Sequence, residues 1–177
     1  AASDVYKRQL VDSLLLGLTV SEGNQIGTRT VLKRDPEERV GVLCKQNNKI
    51  KVIEYTELPK EIACIKDDEG ELVFGESHIM CNLFSLDAIK RASTKELEYH
   101  IAFKRADYLN ENGEFIKVDK PNAYKFEKFI FDSFKLFDNI SILRGKREED
   151  FAPVKNMTGE DSPETAKKLY ENYWKKA

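Results

Sequence analysis

The stretch Val40-Gly41-Val42-Leu43-Cys44-Lys45-Gln46-Asn47-Asn48-Lys49-Ile50-Lys51-Val52-Ile53-Glu54-Tyr55 decides the fold class. Val40 to Cys44 and Lys49 to Tyr55 are apolar-rich runs separated by the polar triplet Gln46-Asn47-Asn48, a spacing that predicts a β-hairpin. In the second run Ile50, Val52 and Glu54 alternate with Lys51, Ile53 and Tyr55, so Glu54 shares a face with two apolar side chains. A carboxylate in that position needs a hydrogen-bonding partner, from the protein or from a ligand.

Working outward from the hairpin, Leu14 to Val20 is a short apolar run closed by Ser21-Glu22-Gly23-Asn24, which predicts a buried strand and a turn. Downstream, Leu58 to Lys66 predicts a helix, Asp67-Asp68-Glu69-Gly70 a turn, Leu72 to Phe74 a short strand, Leu86 to Ala92 a helix and Glu98 to Lys104 a strand. Asn110 to Gly113 and Asp119 to Asn122 read as loops. Phe126, Phe129, Ile130, Phe134 and Phe137 recur at three- and four-residue spacing, which predicts a helix with one apolar stripe. Ile140 to Leu143 follows as a strand. Ser162 with Pro163 behind it opens a last helix, over Thr165 to Lys176. Strands alternating with helices give an α/β class with a mixed sheet flanked by helices.

Bulk properties narrow the function classes. The 177 residues carry a formal net charge of −2, with 41% hydrophobic and 34% charged residues, which gives no electrostatic reason to expect nucleic acid or an anionic membrane as partner. No apolar run approaches the roughly 18 residues of a membrane span. Cys44, Cys64 and Cys81 are odd in number and far apart, which favours reduced thiols and a cytoplasmic setting. His78 and His100 are the two histidines, too few for a histidine-rich metal centre. Residues 1–10 match nothing downstream and read as a non-native leader, which leaves 11–177 for fold reasoning.

Four segments combine polar residues with an apolar setting. Val52 to Leu58 ends a strand, where ligands of α/β sheets collect. Asp119 to Lys128 feeds the expected phenylalanine helix, and Lys125 in its first turn is a cation where an anion would be favoured, a conflict that points to phosphate. In Arg147 to Asn156, the apolar Phe151 to Val154 would bury the loop and hold Lys155, as neutralising a phosphoryl oxygen requires. Gly75 to Phe84 contains His78. Each also has a plain structural explanation: a surface strand, a solvated lysine, a charge cluster, a core histidine.

Taken in order, Val40-Gly41-Val42 to Cys44, Val52 to Leu58 (VIEYTEL), His100, Ala102 and Lys104, Asp119 to Asp132 (DKPNAYKFEKFIFD), Arg147 to Asn156 (REEDFAPVKN) and Asp161 to Ala166 (DSPETA) resemble the UDP-N-acetylhexosamine pyrophosphorylase family. The resemblance runs from about Val11 to the C-terminus. It implies the C-terminal portion of a Rossmann-like nucleotidyltransferase catalytic domain, a GT-A-like mixed sheet, with the N-terminal half of the enzyme missing. It also implies attack of an N-acetylhexosamine 1-phosphate on the α-phosphorus of UTP, with release of pyrophosphate and Mg2+ bridging phosphates. By motif position Glu54 and Tyr55 would bind the sugar, Lys125 the UTP phosphates and Lys155 the sugar phosphate, the two lysines being the catalytic candidates. His78 stands where the family carries a substrate-binding Asn, and Cys81-Asn82 replace the following Asn-His, which opens the choice of sugar to a UDP-glucose or other UDP-sugar pyrophosphorylase. A non-catalytic sugar-nucleotide-binding homologue is the reading from another class. The family's glycine-rich UTP loop has no counterpart here, so the chain alone is expected to be inactive. Its metal-binding Asp would fall by register on Asp4.

Overall fold

The computed structural model describes residues 12–175; the leader, and Asp4 with it, lies outside them. The elements in order are α1 (Ser13–Ser21), β1 (Ile26–Leu32), β2 (Val42–Gln46), β3 (Lys49–Ile53), α2 (Lys60–Ala63), β4 (Glu76–Phe84), α3 (Leu86–Ser93), β5 (His100–Lys104), β6 (Tyr108–Leu109), β7 (Phe115–Ile116), β8 (Ala123–Glu127), a 3-10 helix (Ile130–Leu136), β9 (Ser141–Arg144), α4 (Arg147–Asp150) and α5 (Pro163–Trp174). A five-stranded sheet runs β3-β2-β4-β1-β9. Its β1–β9 pair is parallel and the others are antiparallel, so the chain is α/β with the expected mixed sheet.

The β2–β3 hairpin forms as its alternation requires, with Gln46 opposite Lys49. Asn47 and Asn48 take φ of 49° and 63°, the left-handed pair that a two-residue hairpin turn demands and asparagine tolerates. Ile26, Leu43 and Val52 from the sheet pack with Phe131, Phe134 and Phe137 in the main core. Ser162 caps α5 in a reciprocal pair with Thr165, with Pro163 at the first helical position.

Two expected elements differ. Leu14 to Val20 is helical, not a strand. Asp12 Oδ1 accepts from the N–H groups of Leu14 and Leu15 at 3.0 and 3.2 Å, a helix cap, and Leu15 and Thr19 turn the buried face one helical turn apart. A short, wholly apolar run carries no period to separate the two structures. The expected phenylalanine helix is instead strand β8 followed by the 3-10 helix. β8 pairs with β5, placing His100 opposite Glu127 and Lys104 opposite Ala123. The buried rings are Phe131, Phe134 and Phe137, a strict three-residue spacing that matches three residues per turn. Phe126 is 57% exposed. Leu72 contributes a single bridge to Lys66 rather than a strand, and the expected helix over Leu58 to Lys66 shrinks to the four residues of α2.

Arg29 fastens the sheet to its flanks. It is buried in the middle of β1 and makes salt bridges to Asp12 at the start of α1 and to Asp150 at the end of α4, the latter at 2.5 Å. Gly145, between β9 and α4, faces Asp150 and Arg29 so closely that a Cβ there would overlap the Asp150 carboxylate.

Candidate functional site

The site begins where β3 runs out. The N–H groups of Glu57 and Leu58 both donate to the Glu54 carbonyl, at 2.9 and 3.2 Å, and the Glu54 N–H donates to the Glu57 carboxylate at 3.3 Å. A tight turn therefore presents Glu54 and Tyr55. Gly41 leaves room for the Glu54 side chain: a Cβ at Gly41 would stand 2.9 Å from both Glu54 Oε1 and Val52 Cγ1. Burial pushes the Glu54 carboxyl above its ordinary range; His100 and Lys155 oppose the shift, while Glu57 and Asp132 add to it. This carboxylate answers the sequence requirement for a partner with electrostatic neighbours rather than a salt bridge.

Lys155 comes from a different region and is held from both ends. Phe151, Ala152 and Pro153 are buried, which anchors the segment. The N–H groups of Lys155 and Asn156 then donate to the Asp161 carbonyl at 2.6 and 3.0 Å. The loop closes through Gly159 and Asp161, at φ of 80° and 50°, into the Ser162 cap of α5. Lys155 Nζ donates to the Arg39 carbonyl at 2.6 Å, so its ammonium sits at a fixed place with donor capacity to spare.

Tyr55, Lys155 and Asn156 line one cavity of about 780 Å³ with Lys104, Arg34 and Arg39. Arg34 is engaged with Asp35, Glu160 and Asp161. Lys104, by contrast, has no salt bridge among the described residues. The same lining carries Asp35, Glu37, Glu38, Glu160 and Asp161, so an anionic ligand that also carries hydroxyl groups fits only at the part where the pinned Lys155, Lys104 and the half-exposed Tyr55 meet.

Of the other sequence candidates, Lys125 lies on the β5–β8 ribbon and not at a helix N-terminus, so the anion argument from a helix end falls away. It pairs with Glu127 at 2.7 Å. Because Lys104 is opposite Ala123 and Ala102 opposite Lys125, both lysines and His100 lie on one face of the ribbon, Lys104 and Lys125 being diagonal neighbours roughly 7–8 Å apart. His78 is 5% exposed. Its ring stands edge-on to Phe131 and Phe134, Nε2 meets Asn82 Oδ1 at 2.9 Å, and its backbone N–H donates to the Gly41 carbonyl at 2.9 Å. It is thus in the core directly behind Gly41. Burial lowers its pKa to about 4. Among the described residues no group of three His, Cys, Asp or Glu side chains is arranged to hold a metal ion.

Lys104, which the sequence motif contains without a role, and Arg39, which lies outside the motifs, both line the cavity. Lys104 was detectable in principle, since His100, Ala102 and Lys104 alternate along one strand face. The use of Arg39 through its carbonyl leaves no trace in sequence.

Comparison with known proteins gives a consistent answer. The chain is 38% identical over 165 residues to human UDP-N-acetylhexosamine pyrophosphorylase-like protein 1, covering 90% of this chain and 32% of that protein. It is 34% identical over 170 residues to UDP-N-acetylglucosamine pyrophosphorylase of Saccharomyces cerevisiae, covering 92% of this chain and 36% of that one. The chain therefore spans about a third of the length of these relatives. The crystal structure of uridine diphosphate N-acetylglucosamine pyrophosphorylase from Trypanosoma brucei in complex with inhibitor superposes with a TM-score of 0.73 at 30% identity, over 89% of this chain and 31% of that one. The profile of the UTP–glucose-1-phosphate uridylyltransferase family matches residues 8–161, and the chain belongs to that family.

Proposed function

We propose that this chain is the sugar-phosphate-binding part of a longer uridylyltransferase that joins N-acetylglucosamine 1-phosphate to UTP. The observation that carries this reading is the meeting of Tyr55, Lys104 and Lys155 on one cavity beside the half-buried carboxylate of Glu54. In the reaction a phosphate oxygen of the sugar 1-phosphate attacks the α-phosphorus of UTP; a new P–O bond forms as the bond to the β-phosphate breaks, and pyrophosphate leaves. Such transfer depends on placement and charge neutralisation more than on proton chemistry. Lys155, pinned by the Arg39 carbonyl, holds the sugar phosphate. Lys125 and Lys104, on one ribbon face, meet the UTP phosphates. The Glu54 carboxylate accepts hydrogen bonds from sugar hydroxyls and Tyr55 lies against the sugar. His78 supports Gly41 and Glu54 from behind. Mg2+ enters this reading as the cation that UTP brings.

The family profile bears the name of a glucose 1-phosphate enzyme, and His78 replaces the family's Asn, so UDP-glucose or another UDP-sugar is the second reading. No helix of the described residues is long and apolar enough to cross a membrane. Cys44, Cys64 and Cys81 are free thiols, which supports a cytoplasmic protein. The test is to recover the transcript upstream of Val11, express the longer protein, and follow pyrophosphate release with UTP, Mg2+ and either N-acetylglucosamine 1-phosphate or glucose 1-phosphate. The reading predicts turnover by the longer protein, faster with the N-acetylated sugar, and none by the 177-residue chain. UDP-sugar binding without turnover by the longer protein would establish a non-catalytic homologue instead.

A further inference from the structure

His100 stands between two carboxylates. Its Nδ1 is 3.0 Å from Glu57 Oε1 and its Nε2 is 2.9 Å from Asp132 Oδ2. A neutral imidazole has one N–H, so it could donate to only one of them, leaving a nitrogen lone pair against carboxylate lone pairs. Both contacts are satisfied together only by the imidazolium. The side chain is 18% exposed and that of Asp132 11%. The rings of Phe129 and Phe131 pack against it, with centroids at 5.0 and 6.3 Å.

The same Glu57 carboxylate accepts the Glu54 N–H through its other oxygen. A continuous chain of contacts therefore runs from Asp132 in the 3-10 helix, through His100 on β5 and Glu57, to the backbone of Glu54. It ties together the turn carrying Glu54 and Tyr55 and the ribbon carrying Lys104 and Lys125. We propose that His100 is a positioning residue of the sugar-nucleotide site, a fixed imidazolium that locks the Glu54–Leu58 turn and brings its positive charge to that turn. This rests on the functional reading above for its ligand, but not for its geometry.

On the ribbon itself His100 stands opposite Glu127, which Lys125 engages at 2.7 Å, and shares its face with Lys104; the groups that reach it from the other elements are all acidic. Glu54 and Glu57 approach from the turn, Asp132 from the 3-10 helix, and Glu98, just before β5, from outside, where Lys135 engages it at 2.7 Å. Burial favours the neutral ring, but the contacts with Asp132 and Glu57 outweigh it and the imidazole titrates above its ordinary range. For Glu54, the imidazolium is the leading charge opposing the upward push of burial.

The experiment is solution NMR on the 177-residue chain. Ring 15N spectra of the wild type at pH 7 are expected to show both His100 nitrogens protonated; an unprotonated ring nitrogen overturns the proposal without any variant. A 13C titration of the Glu54 side-chain carboxyl is expected to show tighter proton binding in His100→Gln, by about tenfold, or one pKa unit. Unchanged Glu54 titration would reduce His100 to a purely structural residue and overturn the proposal. UDP-N-acetylglucosamine titrated into the same samples separates the two readings. Loss of binding on acidification at a higher pH in His100→Gln than in wild type supports the positioning role, and an acid limb that stays in place overturns it. A chain with the expected Glu54 shift in which the ligand perturbs no cavity residue keeps the lock and refutes the ligand assignment.

Discussion

His78 provides a stability prediction whose size follows from its surroundings. Its ring is sealed by Phe131 and Phe134, at centroid distances of 5.1 and 5.7 Å, and Asn82 Oδ1, which also accepts from Thr28 Oγ1 at 2.7 Å, accepts a hydrogen bond from Nε2. No carboxylate pairs with this ring among the described residues, and burial, opposed only by the Asn82 hydrogen bond, lowers the pKa from 6.5 to about 4. The unfolded chain binds a proton at this site near pH 6.5 while the folded chain resists until about pH 4, so the unfolded state carries more protons between them. Stability from this group is therefore complete above pH 6.5 and is lost as pH falls toward 4. Between pH 7.5 and 5 the loss is about 2 kcal/mol, approaching roughly 3 kcal/mol at lower pH. His100 works in the opposite sense: its raised pKa gives stability that is complete below the unfolded value and lost as pH rises through the folded one. The measurement must isolate His78, and His78→Asn does so by installing a residue that cannot titrate. Urea denaturation of both proteins at pH 7.5, 6 and 5 is expected to show wild type losing about 2 kcal/mol more than the variant across that range. Parallel pH profiles would refute the argument, because they would mean that a proton enters the folded core at little cost.

Three further outcomes are expected. Gly41→Ala should displace Glu54, since the added carbon would stand 2.9 Å from its Oε1; we expect about 1–3 kcal/mol lower stability by urea denaturation and a changed Glu54 titration by NMR, whereas an unmoved carboxyl would show that the turn has slack. Lys104→Ala should leave stability within about 0.5 kcal/mol and weaken pyrophosphate binding by calorimetry about tenfold at low salt, with the difference shrinking as salt rises; equal binding would remove Lys104 from the site. Phe134→Ala, at a fully buried ring, should cost about 3–5 kcal/mol in urea denaturation, and a loss below 1 kcal/mol would contradict the three-residue core spacing.

The hairpin was readable because a polar Asn-Asn turn between alternating strands leaves one register, and Glu54 at its end inherited a predictable face. The α5 cap was readable for a similar reason: Ser162 and Pro163 act within four residues. What escaped was set by distant partners. Phe126 to Phe137 has helical spacing, but five backbone pairings with β5 take Ala123 to Glu127 into a strand, and a local period cannot register a partner twenty-odd residues upstream. Leu14 to Val20 was misread because an apolar run has the same pattern in both structures and its decisive residue, Asp12, lies outside the run. In the site, Glu54, Tyr55 and Lys155 stood out as polar residues in apolar settings. The contributions of His100 and the Arg39 carbonyl exist only after folding brings the turn, the ribbon and the Lys155 loop together.

The central claim is that the turn after β3, the ribbon lysine and the Lys155 loop surround a sugar nucleotide. It is tested most directly by titrating UDP-N-acetylglucosamine into isotope-labelled 177-residue chain and mapping the perturbed resonances. The account predicts saturable shifts at Glu54, Tyr55, Lys104 and Lys155, abolished together by Lys155→Ala. Saturable shifts confined to any other surface, with these four unmoved, would contradict it.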